Sequence, residues 1–152
     1  MPGVSRPARL TLIAIAVFAF VAIALLLARA LTGSGAERAA VLEVLRAQVR
    51  GDGEAVLSDL PDCAREPACA ATTRSRSRLL RRPGEVKVLN YRPSVGLSLT
   101  RQSGIGRVAW KAGAALPVVQ CVRVRREGPL TGGGVTLLSL SNPIDGEASC
   151  GR

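Results

Sequence analysis

Four cysteines are the residues of this sequence with the most informative chemistry: Cys63, Cys69, Cys121 and Cys150. An even number of cysteines in a small domain behind a membrane-targeting segment indicates two disulfides formed in an oxidising compartment. Three pairings are possible, and we favour a local Cys63–Cys69 bond and a Cys121–Cys150 bond that ties down the C-terminal tail. A four-thiolate zinc site is the alternative. Such sites use closely spaced cysteine pairs, which this sequence lacks, so we expect no metal.

The sequence contains no histidine. Histidine is the most common general base and the most common metal ligand, so its absence argues against triad hydrolases and metalloenzymes. The acidic residues occupy positions typical of helix caps, turns and solvated faces, and no two of them are placed to converge on a cleft. A cysteine nucleophile would lack an imidazole partner. We therefore expect a protein without cofactor that is not an enzyme.

Basic residues outnumber acidic ones by 21 to 11, which gives a formal net charge of +10. The densest run lies between residues 74 and 82. Four of its arginines share one face of a predicted helix: Arg74, Arg78, Arg81 and Arg82. This face is either simply solvated or a patch for anionic lipid headgroups or an acidic partner. Outside the apolar N-terminal segment only Tyr91 and Trp110 offer aromatic stacking surface, so nucleic acid is not an expected partner.

Residues 10–28 form an uninterrupted apolar run without charge, glycine or proline. At about 1.5 Å per helical residue this run spans roughly 28 Å, close to the hydrocarbon thickness of a bilayer. We predict a transmembrane signal anchor over residues 10–30, preceded by a cytoplasmic tail over residues 1–9. The alternative is a signal peptide cleaved near Ala30, which would release a secreted domain. The lysines and arginines that flank the run do not decide the orientation of an anchor, so it is the paired cysteines that favour a domain outside the cytoplasm.

Glycine and serine are enriched just after the apolar run, and we predict a linker over residues 31–35. An extracytoplasmic domain is expected to follow over residues 36–152. Ser34 and Glu37 match the capping box, in which a hydroxyl residue is followed three positions later by an acid. They predict a new amphipathic helix from about residue 36 to residue 50.

Two further helices are predicted before residue 85, where the spacing of apolar residues changes from the helical to the strand pattern. Asp52 is a suitable N-cap for a helix over residues 53–60, which the proline that follows would end. Pro67 suits the first turn of a third helix over residues 68–81. The segment between these two helices is expected to be a loop closed by the bond between Cys63 and Cys69.

From residue 85 onward apolar and polar residues alternate, which predicts strands. Five candidate strands lie near residues 86–91, 95–100, 107–111, 118–125 and 135–140. The glycine-containing segment 103–106 predicts a hairpin loop. The alternation of apolar and polar residues leaves one face of the sheet exposed to solvent, which is typical of antiparallel sheets. The expected fold is therefore α+β: an N-terminal transmembrane helix, then two or three helices packed on one curved antiparallel sheet of four or five strands.

The first domain helix has the pattern Ala-Val-Leu-x-x-Leu-x-Ala-x-x-x-Gly-Asp over residues 40–52. With a helix pair and a curved sheet after it, this pattern resembles the membrane-anchored NTF2-like domains (cystatin-like fold) of bacterial envelopes. The resemblance implies a cone between helix and sheet that seven side chains would line or fill: Val41, Leu45, Leu97, Leu99, Trp110, Val122 and Val124. No catalytic motif of the family is present, and the histidine of its many enzymatic members is missing.

We expect a non-enzymatic binding or scaffold module, tethered to the cell membrane by residues 10–28 and facing outside. Its expected partner is another envelope protein or an anionic lipid. One alternative is a small NTF2-like envelope enzyme that uses an acid and Tyr91 inside the cone. The other is a basic binder of the membrane surface that acts through residues 74–82.

Overall fold

The computed structural model describes residues 6–94, 100–128, 133–146 and 148–151. Four helices come first: α1 (Arg6–Arg50), α2 (Gly53–Ser58), α3 (Pro61–Arg65) and α4 (Pro67–Leu79). The strands follow: β1 (Val86–Arg92), β2 (Gln102–Ala112), β3 (Val118–Glu127) and β4 (Gly134–Leu140). They form one antiparallel sheet in the order β1-β2-β3-β4. The predicted α+β class and the apolar N-terminal helix are confirmed, and the described residues contain four strands of the sheet.

The hydrophobic core lies between the sheet and the C-terminal third of α1, with α2 to α4 packed beside it. Val41 and Leu45 recur at the helical spacing that directs side chains to one face, and both are buried. Val122 and Val124 alternate with exposed Arg123 along β3, as the predicted two-residue period requires.

Helix α1 runs without interruption from Arg6 to Arg50, so the predicted break at residues 31–35 and the separate helix start at residue 36 are wrong. Gly33 and Gly35 both lie within the helix. Each glycine costs about 1 kcal/mol relative to alanine in a helix, which is a small penalty beside two long flanking segments that both favour the helix. The predicted capping box is also wrong, because Glu37 lies inside the helix and its carboxylate bonds to the sheet.

The segment 103–106 was predicted to be a hairpin loop but lies inside β2. Gly104 and Gly106 pair with Val124 and Val122 of β3, and neither glycine has a positive φ. A Cβ atom on Gly106 would approach the carbonyl oxygen of Arg92 to 3.0 Å. Gly106 therefore permits the close approach of the end of β1. The predicted strand over 95–100 falls almost wholly outside the described residues.

A β-bulge changes which residues of β1 face the helices. Val88 pairs with Trp110 but Asn90 pairs with Ala109, so Leu89 is the extra residue. The alternation predicted Asn90 on the same face as Val88. Because the bulge shifts the register by one residue, Tyr91 packs against the core while Asn90 is exposed.

The middle of the chain is more helical than predicted. Asp52 caps α2 as expected, with its side chain accepting a hydrogen bond from the backbone N–H of Ala55. The segment predicted to be a disulfide-closed loop instead contains α3 and the first turn of α4. Helix α4 ends at Leu79, earlier than predicted, because the backbone N–H of Arg82 bonds to the carbonyl of Val49 and draws the chain away from the helix axis.

The sheet has two ends that differ in their relation to α1. At one end, which we call the anchor end, α1 enters the domain and Glu37 lies beside Tyr91 and Ser94. At the opposite end, which we call the far end, α1 terminates at Arg50 and β2 turns into β3 over residues 113–117. Helix α1 therefore crosses the domain in the direction of the strands.

Candidate functional site

The N-terminal part of α1 stands clear of the domain. The helix is long and apolar enough to cross a membrane over Arg9–Ala28, and none of that segment is buried against the rest of the chain. Bulky side chains such as Phe18 and Phe20 are exposed. A soluble protein rarely leaves so large an apolar surface uncovered, so the segment fits a membrane anchor or a signal sequence.

Both predicted cysteine pairs are bonded. The Cys63–Cys69 bond has an S–S distance of 2.00 Å and joins α3 to α4, and the Cys121–Cys150 bond measures 2.01 Å. The second bond ties the C-terminal tail to β3, where Ile144 also pairs with Val119. Cys121 lies on the side of β3 away from the core, as its position in the alternation predicted. Among the described residues no group of three metal-ligating side chains is present.

A buried polar cluster joins α1 to the sheet at the anchor end. The carboxylate of Glu37, which is 0 % exposed, accepts hydrogen bonds from the hydroxyl of Tyr91 and from the backbone N–H of Ser94 at 2.9 Å. It also lies 3.0 Å from Nε of Arg126, whose side chain is only 12 % exposed. A carboxylate removed from water must be compensated by such partners. We call these four residues the Glu37 cluster.

The Glu37 cluster brings together the tyrosine and an acid, as the enzyme alternative required. However, the carboxylate is inaccessible to solvent and all the contacts described for it are internal. Burial raises the pKa of Tyr91 well above its ordinary value, and the hydrogen bond to Glu37 raises it further. A phenol held neutral in this way donates a hydrogen bond but is a poor base. The geometry therefore supports a structural role for Glu37 and Tyr91.

Tyr91 is the single tyrosine, which makes its titration directly observable. Its pKa is higher in the folded chain than in the unfolded chain, so the neutral phenol stabilises the fold below about pH 10, and this contribution is lost as the pH rises further. We expect phenolate absorbance to appear only together with the loss of the circular-dichroism signal in an alkaline titration. An intact fold with a tyrosine that titrates at its ordinary pH would contradict this.

A second polar network lies inside the core. Oε1 of Gln120 accepts hydrogen bonds from Nε1 of Trp110 at 2.8 Å and from Nε2 of Gln48 at 3.0 Å. Nε2 of Gln120 donates to the carbonyl of Ser141 at 2.8 Å. Gln48 and Gln120 are completely buried, so this network determines how α1, β2 and β3 meet. The sequence signal for this network was a glutamine at an inward-facing position of α1 and another of β3.

We expect Gln120→Leu to lower the free energy of unfolding by about 1–3 kcal/mol, because it leaves the indole N–H of Trp110 and the amide of Gln48 without their partner. Denaturant unfolding followed by the fluorescence of the single tryptophan measures the change. Gln102→Leu at the exposed start of β2 is the matched control, for which we expect a change within about 0.5 kcal/mol. Equal effects of the two substitutions would contradict the role of the network.

Of the seven side chains predicted to line or fill a cone, those that the structure describes are part of the core. Five of them are buried: Val41, Leu45, Trp110, Val122 and Val124. The other two, Leu97 and Leu99, lie outside the described residues. The five residues pack in one hydrophobic cluster together with α2 and α4, which is how a filled core is built.

The predicted arginine patch is divided by the structure. Arg74 is paired with Glu54, with 2.5 Å between Nε and Oε1, and the hydrogen bond from Arg74 holds the pKa of Glu54 below its ordinary value. Nη1 of Arg82 donates to the carbonyl of Leu116 at 2.8 Å. Arg78 and Arg81 are exposed. Because α4 ends at Leu79, Arg81 and Arg82 do not share a helical face with the other two.

One arginine of the same run has a role that sequence reasoning missed. Arg76 is buried and donates hydrogen bonds to the carbonyl of Leu140 and to Oγ1 of Thr73, so it fixes α4 against the end of β4. Burial lowers the pKa of Arg76. Arg126 of the Glu37 cluster was missed as well, because nothing in an alternating strand indicates that one arginine faces an acid on a distant helix.

No protein-family model, no curated protein and no solved structure matches this chain. The resemblance to NTF2-like domains therefore stays a prediction. The features that bear on its function are the apolar segment of α1, the disulfides, the buried clusters and the surface of the domain.

Proposed function

We propose that this protein is a single-pass membrane-anchored binding or scaffold module whose disulfide-bonded domain stands outside the cytoplasm. The observation that carries the proposal is the continuity of α1: the apolar part of one helix is uncovered, and its last third is the centre of the domain core. A helix of this kind acts as a stiff stalk. It holds the domain at a defined height and orientation above the bilayer.

The geometry of the stalk gives this height. Glu37 lies nine positions after Ala28, which corresponds to about 13 Å of helix. The headgroup layer on each side of a bilayer is about 5–8 Å thick. The anchor end of the domain would therefore stand just above the headgroups. Two disulfides support an oxidising compartment outside the cytoplasm, where such bonds persist.

A non-enzymatic role is supported by the way the polar side chains are used. The buried carboxylate of Glu37 is bonded internally, and the buried amides of Gln48 and Gln120 are bonded to each other. Binding through the surface of a rigid domain needs none of these groups to reach a substrate. The partner would be another envelope protein or an anionic ligand.

The test is a topology measurement on the full-length chain expressed in a bacterial host. We expect the protein to remain in the membrane pellet after alkaline extraction, and external protease to remove the domain from spheroplasts. The intact mass under non-reducing conditions should include residues 1–30 and be lower than the reduced mass by the hydrogens lost from both cysteine pairs. A reduced domain that is protected from external protease would overturn the proposal.

A further inference from the structure

The face of the sheet that points away from the helices is rich in positive charge. Side chains of β1 to β3 alternate between the core and this outward face, and buried Val108, Trp110 and Val122 mark inward positions. Five outward positions of the three strands are basic: Lys87, Arg92, Arg107, Lys111 and Arg123. We call these five residues the basic face.

Four members of the basic face form two cross-strand pairs of like charge. Lys87 lies directly opposite Lys111, and Arg92 lies directly opposite Arg107. Side chains in such positions have Cβ atoms about 5 Å apart, and like charges there destabilise a sheet. Residues that break a rule of local stability are expected at functional sites. Stability alone therefore does not explain why both pairs occur on one face.

The basic face continues from these pairs onto β3. Arg123 pairs with Ile105, which lies two positions along β2 from Arg107 and six positions from Lys111. At about 3.3 Å per residue, the basic face extends roughly 20 Å along the sheet. Beside Arg123 there is a groove, lined also by Ser103 and by the end of the C-terminal tail. The five cations therefore belong to one continuous surface.

Acidic residues of the described chain do not neutralise this surface. None of the five cations takes part in an ion pair among the described residues. Glu127 at the end of β3 is already paired with Arg101, with 2.6 Å between Oε1 and Nε. Arg125, the next outward residue of β3, is paired with Asp62 at 3.6 Å and is not counted in the basic face. The charge of the five cations is available to a partner.

We propose that the basic face binds a linear polymer that carries phosphate groups along its length. Phosphate oxygens accept charge-assisted hydrogen bonds from guanidinium and ammonium groups, which are stronger than bonds between neutral groups. A phosphate between two paired cations would also remove their repulsion, so the unfavourable pairs and the binding have one explanation. The inference rests on the proposed function, which places this face outside the cytoplasm.

Other occupants fit the basic face less well. Protein interfaces need apolar or aromatic anchors, and Leu89 in the bulge is the one large hydrophobic residue exposed on the described outward side of β1 to β3. Tyr91 and Trp110 point inward, so neither can stack on a nucleic-acid base. The strands run along α1, so the basic face stands upright on the membrane that α1 would cross and does not lie against it.

The test uses the full-length protein in zwitterionic detergent and fluorescently labelled linear polyphosphate of defined length. We expect binding in fluorescence anisotropy, with an affinity that falls steeply with salt because bound phosphates release counterions. The double variant Lys87→Gln/Arg92→Gln should bind at least tenfold more weakly, with a smaller salt dependence. Each substitution removes one like-charge repulsion, so urea unfolding should show a variant at least as stable as the wild type.

Arg50→Gln/Arg78→Gln is the matched control, because it removes the same charge from exposed positions on α1 and α4. We expect it to weaken binding less than threefold. Equal losses in the two double variants would overturn the assignment of the face, since binding would then follow net charge alone. Polyglutamate of equal length and charge is the second probe, and equal affinity for it would overturn the proposal in favour of an acidic polypeptide.

The outcome of this experiment is distinguishable from the outcome of the topology measurement. Binding is measured on purified protein in detergent, so it does not depend on the side of the membrane on which the domain lies. A domain found inside the cell would overturn the proposed function and leave the affinity for polyphosphate unchanged. Loss of that affinity in the wild type would overturn the inference and leave the topology unchanged.

Discussion

Replacing Glu37 with alanine lowers the free energy of unfolding by about 3–5 kcal/mol, because the largely buried guanidinium of Arg126 then loses the carboxylate that lies 3.0 Å from its Nε. The hydroxyl of Tyr91 and the backbone N–H of Ser94 also lose their acceptor. This is a large fraction of the stability of a domain of ordinary size. Urea unfolding of the full-length protein in detergent, followed by the fluorescence of buried Trp110, measures the loss.

Glu43→Ala is the matched control for this prediction. Glu43 lies on the same helix and pairs with Arg46 at 3.2 Å, but both side chains are about half exposed, so we expect a loss below about 0.5 kcal/mol. The double variant Glu37→Leu/Arg126→Met removes both charges and should regain most of the stability lost in Glu37→Ala. If Glu37→Ala costs no more than Glu43→Ala, the Glu37 cluster does not hold α1 to the sheet.

Removing the Cys121–Cys150 bond by the double substitution to serine lowers the free energy of unfolding by about 3.5 kcal/mol. The estimate follows from the chain-entropy relation, in which the stabilisation grows with the length of the closed loop. This bond closes a sequence separation of 29 residues. It also holds the tail where Gly146 accepts a hydrogen bond from Arg107. Thermal unfolding of the full-length protein in detergent, compared with the wild type, provides the measurement.

The second disulfide provides an internal comparison. The Cys63–Cys69 bond closes a separation of only 6 residues, for which the same relation gives about 2 kcal/mol. The serine double variant at these positions should therefore be the more stable of the two. If the Cys63–Cys69 variant were instead the less stable of the two, the short loop would contribute more to the free energy of unfolding than its length predicts. The bond to the C-terminal tail would then contribute less than the bond between α3 and α4.

The Glu37 cluster joins α1 to the sheet at the start of the part of the helix that packs in the core. Tyr91, Ser94 and Arg126 hold the first domain turn of α1 against the sheet, close to the position where the helix leaves the core. A flexible linker at residues 31–35 would have separated the domain from the apolar segment. Because α1 is continuous, the apolar segment and the first helical part of the domain instead belong to one helix.

Several features could be predicted from the sequence because they depend on local chemistry or on composition. The apolar run over residues 10–28 requires an apolar environment whatever the rest of the chain does. Asp52 caps α2 through its own neighbouring backbone. The alternation in β3 correctly placed Val122 and Val124 in the core and Cys121 outside it, which made the disulfide with Cys150 predictable.

What the sequence by itself determined is therefore the α+β class, the apolar N-terminal helix and the inward face of β3, and it favoured the cysteine pairing that the structure shows. Only the tertiary structure decided that α1 is continuous, that the bulge at Leu89 turns Tyr91 inward, and that Glu37 meets Arg126. These outcomes depend on contacts between residues far apart in the chain, whose energies outweigh local preferences such as the helix penalty of Gly35. Local patterns reflect neighbours along the chain, whereas the Glu37 cluster and the network around Gln120 are made by neighbours in space.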